Sequence, residues 1–217
     1  GPSNARTGPT PAAPLGKPDG ASAVKALAPM TSTDEGRKII WNIWSDGKQS
    51  VATSGRMLTL VRIGLGGTPS KPIVVDRTGK LVKLEKDEKF PDWTQVVPAE
   101  TKESMPNVDT EKLFTILRQA QEATSEKSNS IKLWRNKDGS LGVTANAPDV
   151  ASYSHNFQGG ETTRVIMAIV PQYLIDAINA ARRVGDKMVT LKWTDELSPL
   201  VIESKMTESV IMPMRLA

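Results

Sequence analysis

Cysteine is absent from the 217 residues, and with it go disulfides, thiolate nucleophiles and cysteine-ligated metal centres. The single histidine, His155, removes every motif that needs a histidine pair. It lies in SYSHNFQGG, residues 152–160, which reads as a polar loop with no nucleophile or carboxylate partner in view. Paired catalytic carboxylates are equally scarce, because the acidic residues of KLEKDEKF, residues 83–90, alternate with lysines as on a solvated surface. The glycine-rich GLGGTPS, residues 64–70, lacks the lysine and following helix of a phosphate-binding loop. No apolar run is long enough to span a bilayer or to serve as a signal peptide. The chain therefore reads as soluble, not secreted and not an enzyme, without metal or cofactor.

What is present is ordinary globular material. Hydrophobic residues make up 38% and charged residues 24%, enough to build a real core in one large or two small domains. The formal charge of +4 suits a polyanionic partner without demanding one. Residues 1–21, GPSNARTGPTPAAPLGKPDGA, carry Leu15 as their only large apolar side chain. Such a segment cannot bury enough surface to offset its ordering entropy, and disorder is expected there. Its first residues also look like the remnant of a cleaved purification tag.

The remainder repeats one grammar three times, a short amphipathic helix followed by paired strands. A helical stretch over residues 21–30 precedes IIWNIWSDGKQSVATSGRMLTLVRI, residues 39–63, where Asp46-Gly47 signals a type I′ hairpin turn. DTEKLFTILRQAQEAT, residues 109–124, has Asp109 as N-cap and Leu113, Ile116, Leu117 and Ala120 on one face. Strands around Asp138-Gly139 follow. PQYLIDAINAARRVG, residues 171–185, has Pro171 for the first turn, Gly185 for the C-cap and an apolar stripe of Leu174, Ile178 and Ala181. Strands over 188–193 and 199–204 and the terminal SVIMPMRL close the sequence. Residues 71–98 read as strands without a helix. A helix with antiparallel strands, repeated, predicts an α+β fold with helices gathered on one face of the sheets.

Four segments carry a more specific signal. VATSGRMLTL, residues 51–60, FPDWTQVVP, residues 90–98, YLIDAINA, residues 173–180, and VIMPMRL, residues 210–216, are collinear with segments of the bacterial sliding-clamp family, the β subunit of DNA polymerase III. Residues 22–98 resemble a shortened second domain of that family and residues 99–217 a complete third domain.

The resemblance implies the DNA-clamp fold and a non-enzymatic processivity factor that encircles duplex DNA without reading its sequence. It also implies peptide partners from polymerases and clamp loaders, and a cytoplasmic, nucleoid-associated location. Family members place twelve helices around the hole, so three per chain imply a homotetramer. Lys25, Lys112, Arg118, Arg182 and Arg183, on or beside the three helices, are then the candidates facing phosphate. The family's partner-peptide pocket, carried over by position, comprises Thr53, Gly55, Met57, Leu58, Pro91, Val96, Tyr173, Leu197, Pro199, Val210, Met212, Pro213 and Met214. Two departures bear on peptide preference. The family's Asp-Gly-His-Arg-Leu reads Ser54-Gly55-Arg56-Met57-Leu58, and a basic residue of the FPD segment is replaced by Gln95. The alternative is a clamp-derived adaptor that keeps the pocket and forms no ring.

Overall fold

The computed structural model describes residues 14–124, 129–145, 153–156 and 162–215. The chain opens on helix α1 (Gly20–Leu27), whose N-cap Asp19 accepts a hydrogen bond from the Ser22 amide at 2.8 Å. The disorder expected of this stretch does not hold for residues 14–21, where the Gly16 amide donates to Arg182 O at 3.0 Å and α1 begins at Gly20. Residues 1–13 lie outside the described residues.

Five strands follow, β1 (Ile43–Ser45), β2 (Ser50–Thr53), β3 (Met57–Val61), β4 (Ile73–Val75) and β5 (Leu81–Val82). Next come β6 (Glu103–Asp109), α2 (Thr110–Glu122), β7 (Ile131–Asn136), β8 (Leu141–Ala145), β9 (Tyr153–Asn156) and β10 (Thr162–Ile169). Helix α3 (Pro171–Arg183) and strands β11 (Met188–Trp193), β12 (Leu200–Glu203) and β13 (Thr207–Ile211) complete the fold. His155 therefore sits on strand β9 rather than in a loop.

Nine strands form one antiparallel sheet in the order β5-β4-β1-β2-β3-β13-β12-β11-β6, and four form a second, β10-β7-β8-β9. The large sheet crosses the expected division between 22–98 and 99–217 through the β3–β13 pair, whose buried Thr59 and Ser209 hydroxyls meet at 2.6 Å. Two hydrogen bonds link the sheets. Arg135 on β7 donates to Ser104 O at the open edge of β6, and the Met214 amide donates to Ala168 O of β10 at 2.8 Å. Edge carbonyls and amides that would otherwise await a partner are thereby occupied.

The hairpins are where the sequence predicts them, but not with type I′ turns. Among the described residues only Asn107 combines a side chain with positive φ, so neither Asp46 nor Asp138 adopts the conformation that type demands. Asp46 instead anchors a four-residue loop by accepting the Lys48 and Gln49 amides. Asp138-Gly139 belongs to a type I turn with a bulge, in which Gly139 has φ +84° and donates to Asn136 O. Asp76 to Lys80 repeats that second geometry with Gly79 at φ +90°.

Helix α3 is the hub. It packs between α1 and α2 and buries Leu174, Ile175, Ala177, Ile178, Ala180 and Ala181. It ends in a Schellman motif, with Gly185 at φ +95° donating to Arg182 O and Asp186 to Ala181 O; Val184 is the C-cap and Gly185 the residue after it. The helices share one core with Ala52, Met57, Val61, Ile202 and Ile211 of the large sheet and Leu133, Leu141 and Val143 of the small one. Because side chains alternate along a strand, Val51, Leu58 and Leu60 point the opposite way and form a separate cluster with Trp44, Phe90 and Trp93.

Candidate functional site: an apolar pocket behind the sheet and a helix wall before it

That second cluster borders a cavity of about 190 Å³ on the face turned away from the helices. Its floor is a cross-strand pair, Leu58 of β3 opposite Val210 of β13. One rim is the β2–β3 turn, where Thr53 Oγ1 accepts from the Gly55 amide at 3.1 Å and donates to Met57 O at 2.9 Å. Gly55 takes φ +86°, a conformation costly for any residue with a Cβ. The opposite rim is a short 3₁₀ turn, Trp93–Val96, capped by Asp92. The Asp92 carboxylate accepts from the Thr94 hydroxyl and amide and from Gln95 Nε2, and these hydrogen bonds, the hydroxyl foremost, hold its pKa below the ordinary carboxylate value. Trp93 meets Trp44 edge-on at 5.5 Å between ring centroids.

Eight pocket candidates line this cavity together: Thr53, Gly55, Met57, Leu58, Pro91, Val96, Val210 and Met212. Val96 and Met212 remain 49% and 47% exposed, which leaves apolar surface available at the mouth. Five candidates do not line it. Tyr173 is half-buried in the main core on the first turn of α3. Leu197 and Pro199 sit in the β11–β12 connection, Leu197 64% exposed. Pro213 and Met214 lead away, because the Met214 amide is committed to Ala168 of the other sheet. The tail is pinned beforehand by the Met212 amide donating to Arg56 O at 3.1 Å.

The cavity also takes Arg37, Arg56, Asp92 and Trp93, which sequence reasoning missed. Trp93 was within reach, since an aromatic in FPDW beside an apolar sheet face is a natural wall. Arg37 was not, because it comes from an irregular segment, Glu35–Trp41, that breaks at Arg37 itself (φ −135°, ψ 59°).

On the other side of the sheet the phosphate-facing candidates divide. Lys25 on α1, Lys112 and Arg118 on α2 and Arg183 at the end of α3 are exposed. Arg182 is not, and its assignment is corrected: it is 3% exposed, its guanidinium lies 4.9 Å from the Phe114 ring centroid, and its Nη1 donates to Asn179 Oδ1 at 3.1 Å. Burial lowers its pKa, with the nearby Glu111 opposing. Helix α3 is enclosed by two other helices, so an arginine one position beyond its apolar stripe has no route to solvent.

Between α2 and α3 runs a short polar chain in which Gln121 Nε2 donates to Gln172 Oε1 and Gln172 Nε2 to Asp176 Oδ1, each at 2.8 Å. Burial pushes the Asp176 carboxyl up to about 6, against the opposing hydrogen bond from Gln172. The folded value lies above the unfolded one, so the stability attributable to this group is complete below pH ~4 and declines as pH rises through about 6. Asp176→Asn is expected to stabilise the protein by about 1–2 kcal/mol at neutral pH and to do nothing at pH ~4. Urea midpoints for both proteins at the two pH values measure this.

With this geometry in place, the comparisons are specific. The family model for the DNA polymerase III beta subunit, C-terminal domain, matches residues 94–215. The beta sliding clamp of Chlamydia muridarum is 32% identical over 132 residues, 58% of this chain and 34% of that protein. The beta sliding clamp of Chlamydia pneumoniae is 31% identical over 146 residues, 65% and 37% of the two lengths. The chain thus spans about a third of the length of these curated relatives. Among solved structures, the DNA polymerase sliding clamp of Bacillus subtilis superposes with a TM-score of 0.74 at 16% identity, over 91% of this chain and 62% of that one. The clamp of Pseudomonas aeruginosa gives 0.73 at 20% identity, over 90% and 64%. The fold is the DNA-clamp fold.

Proposed function

Because the chain belongs to the family of the DNA polymerase III beta subunit, we propose that it is a sliding clamp that surrounds duplex DNA as a homotetramer and recruits polymerase and loader proteins through the pocket. Residues 22–98 serve as a shortened clamp unit and residues 99–217 as a complete one. The observation that carries this reading is the two-sidedness of the fold. One continuous nine-stranded sheet has its helices on one face and an apolar, partly open cavity on the other. That arrangement separates a helical surface for DNA from a pocket for proteins, so both can be engaged at once. Lys25, Lys112, Arg118 and Arg183 supply sequence-independent attraction to phosphate, which holds a duplex without fixing a register. The pocket, bounded by Thr53, Gly55, Met57, Leu58, Pro91, Val96, Val210 and Met212, takes Leu and Phe side chains of a short peptide. Leu197, Pro199, Pro213, Met214 and Tyr173 extend that surface only if the bound peptide runs past the cavity. Catalysis has no part in this function, and no helix among the described residues is long and apolar enough to cross a membrane.

Light scattering coupled to size exclusion is expected to give a mass four times that of the chain, and a monomer at micromolar concentration would remove the ring. Retention on circular but not on linear DNA is the matching functional result. The second reading is a ring-free adaptor that keeps the pocket. It predicts peptide binding by a monomer or open dimer, with equal behaviour on both DNA forms.

A further inference from the structure

Helix α3 reaches the surface along a single strip. Apart from Tyr173 on the first turn, its residues that are not buried are Gln172, Asp176, Asn179 and Arg183. Steps of four, three and four keep them in one narrow sector of the helix. Asp176 is the only carboxylate of that strip.

Little around this carboxylate favours its charge. The described residues give it one hydrogen bond, from Gln172 Nε2 at 2.8 Å, and Gln172 is itself held by Gln121 of α2. The charged groups on the flanking helices are Asp19 and Lys25, at the cap and in the last turn of α1, and Glu111, Lys112, Arg118 and Glu122 of α2. All are exposed and none pairs with Asp176. Strand β3 carries no charge, and Glu208 of β13, opposite Leu60, is on the far face of the sheet with Arg62. On α3 itself, Arg182 is turned to Asn179 and Phe114, and Arg183 ends the strip. Burial therefore dominates, and only an amide opposes it.

We infer that the protein takes up a proton at Asp176 when it binds duplex DNA, the ionised carboxylate on the α3 strip being a brake that one proton releases. The inference rests on the reading that the helical face meets DNA, and adds to it a residue that opposes the contact. Phosphates arriving over a half-buried carboxylate repel its charged form through surroundings that screen less well than water, and so favour the neutral one. The sign follows from linkage. Below pH about 6 the free carboxyl is already protonated and costs nothing. As pH rises above that value it ionises, binding must return a proton to it, and affinity falls until the pH passes the higher value of the bound state.

The test is fluorescence anisotropy of a short labelled duplex with the full chain, at constant salt, from pH ~5.5 to pH ~8. The parent is expected to lose about fivefold in affinity over that range, and Asp176→Asn to keep its low-pH affinity throughout. His155, the single histidine, titrates in the same range but is present in both proteins, so the difference between the two profiles belongs to Asp176. Gln172→Met removes the one interaction that favours the charged form and is expected to move the onset of the loss to higher pH, a displacement that a merely structural role does not produce. Parallel profiles for the parent and Asp176→Asn would overturn the inference and leave the DNA reading intact. Loss of binding by a folded Asp176→Asn at every pH would also overturn it, because the carboxylate would then be assisting the contact. No duplex binding by the parent at any pH would overturn both.

Discussion

Arg182→Ala is expected to lower the stability of the protein by about 3 kcal/mol, the sum of lost stem packing, a lost contact with the Phe114 ring and the space left between α2 and α3. The residue is 3% exposed, so screening does not soften the loss. Its neighbour supplies the control. Arg183 is exposed, and Arg183→Ala should change stability by less than about 0.5 kcal/mol. Urea unfolding of the two variants side by side separates a structural arginine from a surface one. The DNA readout should run the other way. Arg182→Met, which refills the space without charge, should bind duplex DNA as the parent does, whereas Arg183→Ala should reduce the salt dependence of binding by about one unit of slope. A parent-like unfolding midpoint for Arg182→Ala would mean that the guanidinium is not part of the core.

The second large effect concerns the pocket. Met212→Ala is expected to weaken a Leu/Phe-bearing peptide by about 2 kcal/mol, roughly thirtyfold in Kd, if its thioether packs on the anchor as a central contact does. Met212 is 47% exposed in the free protein, so truncation costs little before the peptide arrives. The substitution leaves the backbone intact, and with it the hydrogen bonds from Met212 to Arg56 and from Met214 to Ala168. For that reason it is a cleaner probe than deleting residues 212–217, which would also remove the Met214–Ala168 link between the two sheets. Trp93 lines the same cavity and offers an intrinsic fluorescence signal for the titration. An unchanged affinity would place the anchors elsewhere on the surface.

How much of this was legible in the sequence depends on how local the determining physics is. The helices were, because Asp109 caps α2, Pro171 opens α3 and their apolar stripes repeat at helical spacing. Hairpin positions were legible from Asp-Gly, but turn type was not. The carboxylates of Asp46 and Asp138 bind nearby amides and set their own loop geometry. The pocket was legible only through resemblance. Its walls come from segments about 150 residues apart that meet at the β3–β13 pair, and no periodicity reports such a meeting. Pro213 and Met214 do not line it because the direction of the tail is set by Ala168 on another sheet. Arg182 shows the limit of amphipathic reasoning. A helical wheel describes one buried face, whereas α3 is covered from two sides.

The β3–β13 pair also has a consequence for how the molecule is made. Residues 57–61 leave the ribosome long before residues 207–211, and until the later strand arrives the earlier one presents a bare row of amides and carbonyls, with Leu58 and Leu60 beside it. Pairings this distant in the chain form slowly. A nascent or nicked molecule is therefore sticky along one defined border until the later strand saturates it.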